Sequence, residues 1–136
     1  MPGRGFLHVA RDAVAGPTEF YWRAAAIHSY YALFLECRDV LFRWGFPMPR
    51  RDNVHAWVRL RLTYAADPDL KDLGHALDDL VRLRNHASYD LNPSSIFASP
   101  VDAQDAIQKA TDALNLFDQI DNDPARRAAG IASIPP

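Results

Sequence analysis

The chain reads as all-α, a four-helix up-and-down bundle carrying a short extra N-terminal helix, on three observations. Apolar residues recur at three- and four-residue steps along several segments, which is the spacing that lines one face of a helix. Those segments are separated by Gly, Pro and Asp at intervals that suit helix starts and stops. Strand-like alternation is clear only over residues 58–64, and no second stretch offers it a partner. A length of 136 residues, 49% of them hydrophobic, supports one core and leaves no room for a second domain.

In chain order, a first short helix is expected over residues 7–14, closed by Gly16 and Pro17, so that residues 1–17 form an N-terminal extension. Thr18 suits the N-cap of a long second helix that ends near Trp44, where Gly45 and Pro47 stop it. Its stripe is Phe20, Ala24, Ile27, Tyr31, Phe34, Arg38 and Leu41, flanked by Tyr30, Leu33 and Cys37, so most of its circumference should meet protein. At about 40 Å it is the backbone of the bundle. Asp52 or Asn53 can cap a third helix over residues 54–66, with Val54, Trp57, Val58 and Leu62 on one face. Asp67-Pro68-Asp69 then breaks the chain and caps a fourth helix with the stripe Leu70, Leu73, Leu77, Leu80, which Asn92-Pro93 stops. Ser99, Pro100 and Asp102 open the last, whose stripe is Ile107, Ala110, Leu114, Phe117, Ile120. The bundle therefore spans residues 18–121, and the Ala- and Pro-rich residues 122–136 read as a flexible tail.

The net charge of −2 argues against a protein wholly devoted to coating nucleic acid, yet it conceals an asymmetry. Residues 1–66 carry nine Arg against five acids, whereas residues 67–136 carry six basic groups against twelve acids. Arg43, Arg50, Arg51, Arg59 and Arg61 interleave with Trp44 and Trp57, a combination of cations and stacking surfaces that suits RNA. The competing reading pairs these arginines with the acidic half across helix interfaces. The lone Cys37 excludes an internal disulfide and a cysteine-rich zinc site. His8, His28, His55 and His75 fall on separate helices, so no metal site and no cofactor is expected. The apolar stretch after Met1-Pro2-Gly3-Arg4-Gly5 is too short for a signal peptide and no run approaches membrane-spanning length, which points to a cytoplasmic location away from membranes.

The fourth helix carries the sharpest signal. Its leucine stripe continues to Arg84, so a guanidinium stands where the pattern calls for Leu. A charge taken out of water needs a carboxylate, a phosphate or a wet cleft, because leaving it unpaired costs several kcal/mol. Arg84 at the rim, its stem covering apolar surface and its head in water, is the plain alternative. Arg38 repeats the anomaly on the second helix, and Arg38 and Arg84 are expected to join a polar network with acids such as Glu36, Asp39 or Asp90.

Two segments together resemble the HEPN superfamily of helical nucleotide- and RNA-associated domains. Ser29-Tyr30-Tyr31-Ala32-Leu33-Phe34 followed by Cys37-Arg38-Asp39 looks like its long helix, and Leu83-Arg84-Asn85-His86-Ala87-Ser88-Tyr89-Asp90 like its later helix end. The resemblance covers residues 18–121. It implies a homodimer whose Arg84-Asn85-Tyr89 cleft binds RNA or a nucleotide, with an antitoxin or a nucleotidyltransferase as a further partner. In ribonuclease members an Arg holds the scissile phosphate and a His a short distance along the same helix moves the proton. Here that place is held by Tyr89, and no His follows His86. Tyr is a poor base near neutral pH, with a reference pKa of about 10. The expectation is therefore an RNA- or nucleotide-binding protein of prokaryotic toxin or defence type, its nuclease activity weak, atypical or absent. Arg84, Tyr89 and His86 are the candidate catalytic residues; Arg84, Asn85, Arg50 and Arg51 are the candidate RNA contacts. Two alternatives stay open. One is an active metal-independent endoribonuclease using Arg84 with His86 or Tyr89, and the other is an interaction module in which Arg84 serves an internal salt bridge. Arg23 with His28, and Arg82 with His86, offer further Arg–His spacings.

Overall fold

The computed structural model describes residues 1–50, 53–93 and 95–136. A single 3-10 turn, Gly3–Gly5, leads into α1 (Phe6–Val14), followed by α2 (Glu19–Arg43), α3 (Val54–Thr63), α4 (Pro68–Tyr89), α5 (Val101–Asp121) and α6 (Pro124–Ser133). The fold is all-helical, and no strand occurs among the described residues. No helix among them is long and apolar enough to cross a membrane.

The long helix α2 is the axis. α1, α4 and α5 all pack along it, and α3 packs mainly on α4. Tyr30, Leu33, Cys37 and Leu41 from α2 meet Leu70, Leu73, Leu77 and Leu80 from α4 and Ala110, Leu114, Phe117 and Ile120 from α5 in one core. The buried face of α2 centres on Ala26, Tyr30, Leu33, Cys37 and Leu41, which the sequence pattern had assigned partly to its flanks, and Phe20 at the head of the expected stripe is exposed. Tyr30, Leu33, Cys37 and Val40 of α2 are all buried within the chain, while Phe20 and Phe42 near its two ends are exposed.

Helix limits follow local chemistry. The Asn53 side chain accepts from the Ala56 N–H at 3.2 Å to start α3. Asp67 accepts from Asp69 N at 2.9 Å and Leu70 N at 3.4 Å, with Pro68 at the first helical position of α4. Gly45, at φ 96°, turns the chain after α2, a backbone region that L side chains rarely adopt.

Residues 122–136 are not a loose tail. Asp123 repeats the Asp-Pro capping of α4, accepting from Ala125 N at 3.1 Å and Arg126 N at 3.3 Å, and α6 follows. Arg126 pairs with Asp67 and, at 2.9 Å, with Asp69; Ala66 N donates to Ser133 O at 2.9 Å, and Ile134 is buried. Small residues are what let α6 lie close: Gly130 is buried and faces Leu70 and Ile120. The N-terminal extension is equally integrated. Arg4 forks to Asp118 at 2.9 Å and Glu36 at 3.1 Å, while Leu7 of α1 enters the core and Ala10 is fully buried.

Candidate functional site

α3 and α4 form an antiparallel pair whose register brings the site together. At one point the helices touch so closely that a Cβ on Gly74 would lie 2.6 Å from the Thr63 backbone N, so only glycine fits. One turn further, Arg59 reaches Asp78 at 3.5 Å. Another turn along, His55 at the start of α3 arrives beside the Arg84 end of α4 and the Tyr30-Tyr31 pair of α2.

Arg84 is half-buried there. Its Nη2 donates to the Tyr31 hydroxyl at 2.7 Å, and its Nη1 to Asn85 Oδ1 at 2.9 Å. The guanidinium carbon lies 5.4 Å from the Tyr31 ring centre and 5.7 Å from that of Tyr89, both within cation–π range. Nε is buried with no partner, and no carboxylate lies within ion-pair distance of Arg84 among the described residues. The two sequence segments singled out above thus meet through Arg84 and Tyr31. The internal salt bridge is absent among the described residues.

Behind this pair, the Tyr30 hydroxyl and His55 Nδ1 share a hydrogen bond. The His55 ring stacks on Phe34 at 4.1 Å and on Tyr30 at 5.7 Å, and meets the edge of Tyr31 at 6.3 Å. Burial lowers the His55 pKa below its ordinary value, and the Arg84 charge lowers it further. Burial pushes the Tyr30 phenol up, with Arg84 opposing. At neutral pH the pair is an uncharged imidazole on an uncharged phenol.

The other expected residues fall elsewhere. His86, two positions from Arg84, points to another side of α4. Its ring lies 5.7 Å from Phe97, its Nδ1 is 3.7 Å from Asp90, and its Nε2 is buried without a partner among the described residues, so it does not join Arg84. Arg38 reaches its neighbour Asp39 at 3.2 Å, whereas the Asp90 carboxylate takes the Asn92 N–H at 3.1 Å. Arg38 thus finds the expected Asp39, Glu36 pairs instead with Arg4, and Arg38, Arg84 and Asp90 share no common network among the described residues. Arg82 pairs with Asp78 at 2.9 Å, and His28 stacks on Phe6 at 5.5 Å away from Arg23. Arg50 is exposed in the loop before α3, and Arg51, like Asp52, lies outside the described residues. The basic patch is dispersed: Arg43 pairs with Asp121 at 2.9 Å, Arg59 with Asp78, and Arg61 lies over Trp57 at 5.1 Å.

Sequence reasoning missed Arg23. Its Nη1 donates to the carbonyls of His86 at 3.2 Å, Ala87 at 3.0 Å and Asp90 at 2.7 Å, and its Nε to Glu19 at 2.7 Å. It thus holds the end of α4, where unpaired carbonyls and the helix dipole attract a cation. The Glu19–Arg23 spacing of four was the available signal. His55 was missed as well, because its partners come from two other helices.

No protein-family model, no curated protein and no solved structure matches the chain. Chemically, the cluster offers one cation without an acid partner, a half-buried and an exposed tyrosine ring beside it, and a neutral imidazole within the same group of contacts.

Proposed function

We propose that the chain is a HEPN-like RNA- or nucleotide-binding protein whose phosphate contact is Arg84. The observation that carries the reading is a half-buried guanidinium held in place by Tyr31 and Asn85, with no carboxylate within ion-pair distance among the described residues. Structural arginines in this chain look different: Arg4, Arg23, Arg43 and Arg126 each reach an acid. Tyr89, 75% exposed beside Arg84, supplies an open ring face on which a base can stack. Tyr89 is thus a recognition surface, and the place of the usual His on α4 stays without a base. All groups of the proposed site come from one chain, so a partner copy is not needed to complete it.

Titration of a short fluorescent single-stranded RNA, read by anisotropy at fixed salt, tests this. Arg84→Ala is expected to weaken binding roughly 10- to 100-fold, as for a lost charge-assisted hydrogen bond. Tyr89→Ala should weaken it about tenfold, the value of one stacked base. Equal affinity in wild type and Arg84→Ala would sink the proposal.

A further inference from the structure

We propose that His55, delivered by α3 and not by the Arg84 helix, is the proton-transferring residue of an RNA-cleaving site in which Arg84 holds the scissile phosphate. This rests on the reading of Arg84 given above and adds a chemical step to it. Three observations point the same way. First, His55 stacks on Phe34, its Nδ1 is engaged by the Tyr30 hydroxyl and its ring meets Tyr31 edge to face, so its orientation is fixed. Second, the Tyr30 hydroxyl engages Nδ1, and Nε2 has no partner among the described residues. Third, Tyr31 joins the two functional groups, its hydroxyl on Arg84 and its ring against His55. Purely structural packing explains the stack, but a leucine or phenylalanine would serve it as well, without a polar atom in need of a hydroxyl.

With Nδ1–H donating to the Tyr30 oxygen, the lone pair lies on Nε2, the tautomer a base requires. In the step, His55 Nε2 takes the proton of a ribose 2′-hydroxyl, and the 2′-oxygen forms a bond to the adjacent phosphorus. The bond from phosphorus to the 5′-oxygen breaks, and the departing oxygen receives the proton back from His55. The products are a 2′,3′-cyclic phosphate and a 5′-hydroxyl, with no other reactant consumed. Arg84 donates hydrogen bonds to the phosphoryl oxygens as charge grows on them. Tyr30 is a positioning residue that acts through the imidazole.

The test is cleavage of the same RNA in EDTA by the full chain, with affinity measured alongside. Wild type should produce cyclic-phosphate and 5′-hydroxyl ends, while a DNA of the same sequence, lacking the 2′-hydroxyl, should stay intact. His55→Asn and the stack-preserving His55→Phe should each lose cleavage by about 100-fold or more, the usual worth of general acid–base assistance, with RNA affinity kept. Should both variants misfold by circular dichroism, the wild-type pH–rate profile decides. Among the described residues, those facing His55 are Tyr30 and Tyr31 of α2, Arg84 of α4 and, one turn along α3, Arg59. A base in this setting gives a rate that climbs with pH and levels off with its midpoint below the ordinary histidine value of about 6.5. Tyr30→Phe should slow the rate and move that limb to lower pH, since the imidazolium loses an acceptor. RNA bound but uncut, cleavage at the wild-type rate without His55, or a profile lacking the acid limb would overturn the inference and leave the binding reading intact. Absence of RNA affinity in the wild type would overturn both.

Discussion

Arg23 and Arg84 are both guanidiniums on largely buried helix faces, and their neighbours separate a structural cation from the proposed phosphate contact. Arg23, 8% exposed, supplies three hydrogen bonds to the last carbonyls of α4 and an ion pair to Glu19. Arg84 touches one hydroxyl and one amide oxygen, and its removal strands no acid among the described residues. Methionine keeps much of either stem and deletes the charge. Arg23→Met should therefore cost roughly 3 kcal/mol, because hydrogen bonds to a charged group are the strong ones and the carbonyls are left buried. Arg84→Met should change stability by no more than about 1 kcal/mol, the worth of one hydroxyl contact, while RNA affinity falls. Urea unfolding of the two variants checks the pair. A loss at Arg84 as large as at Arg23 would return it to a structural role. Arg84 was legible in the sequence because it interrupts a leucine stripe on its own helix. Arg23 was not, because the Glu19 spacing of four is common on any helix and its other partners are backbone carbonyls more than sixty positions away, which carry no sequence signature.

At the scale of helices, capping chemistry was the legible part and its repetition the part overlooked. Asp67-Pro68 marks the start of α4 in the sequence, and Asp123-Pro124 does the same for α6 inside the stretch whose composition reads as a flexible tail. Composition misled there: a run rich in Ala and Pro suggests mobility, whereas two buried contacts, Gly130 and Ile134, and one arginine suffice to dock a short helix. The α3–α4 register, which delivers His55, depends on a close approach at Gly74 that no periodicity announces. The docking of α6 makes a pH-dependent prediction. The Asp67 carboxyl is held below its ordinary value, chiefly by the Arg126 side chain, despite the opposing effect of burial. A carboxylate whose folded pKa is depressed adds stability above its unfolded value, near 3.8, and loses it as pH falls through the folded value. Arg126→Met should lower stability by roughly 1 kcal/mol near neutral pH, as a partly exposed pair allows. The difference from wild type should shrink steadily below about pH 4. Denaturant unfolding across that range measures it, and a gap that persists undiminished to about pH 2 would show that lost packing, not charge, is responsible.

For the whole molecule, the uneven charge of the two halves finds its use inside the fold. Arg4, Arg43 and Arg59 from the basic half reach Asp118, Asp121 and Asp78 from the acidic half, so the sequence asymmetry is largely a map of helix pairing. The same internal closure bears on association. The HEPN resemblance implies a homodimer, but Tyr30, Leu33, Cys37 and Val40 of the long helix are buried within one chain, covered by α1, α4 and α5. The proposed site likewise draws Tyr30 and Tyr31 from α2, His55 from α3, and Arg84 and Tyr89 from α4 of a single copy. With the middle of α2 buried within one chain and every group of the proposed site on one copy, the chain should scatter light as a monomer of about 15.3 kDa at tens of micromolar. Its affinity for RNA should then be independent of protein concentration. A measured mass of twice that value, together with RNA binding that fails on dilution, would mean that a second copy completes the cleft, and the site would have to be redrawn across two chains.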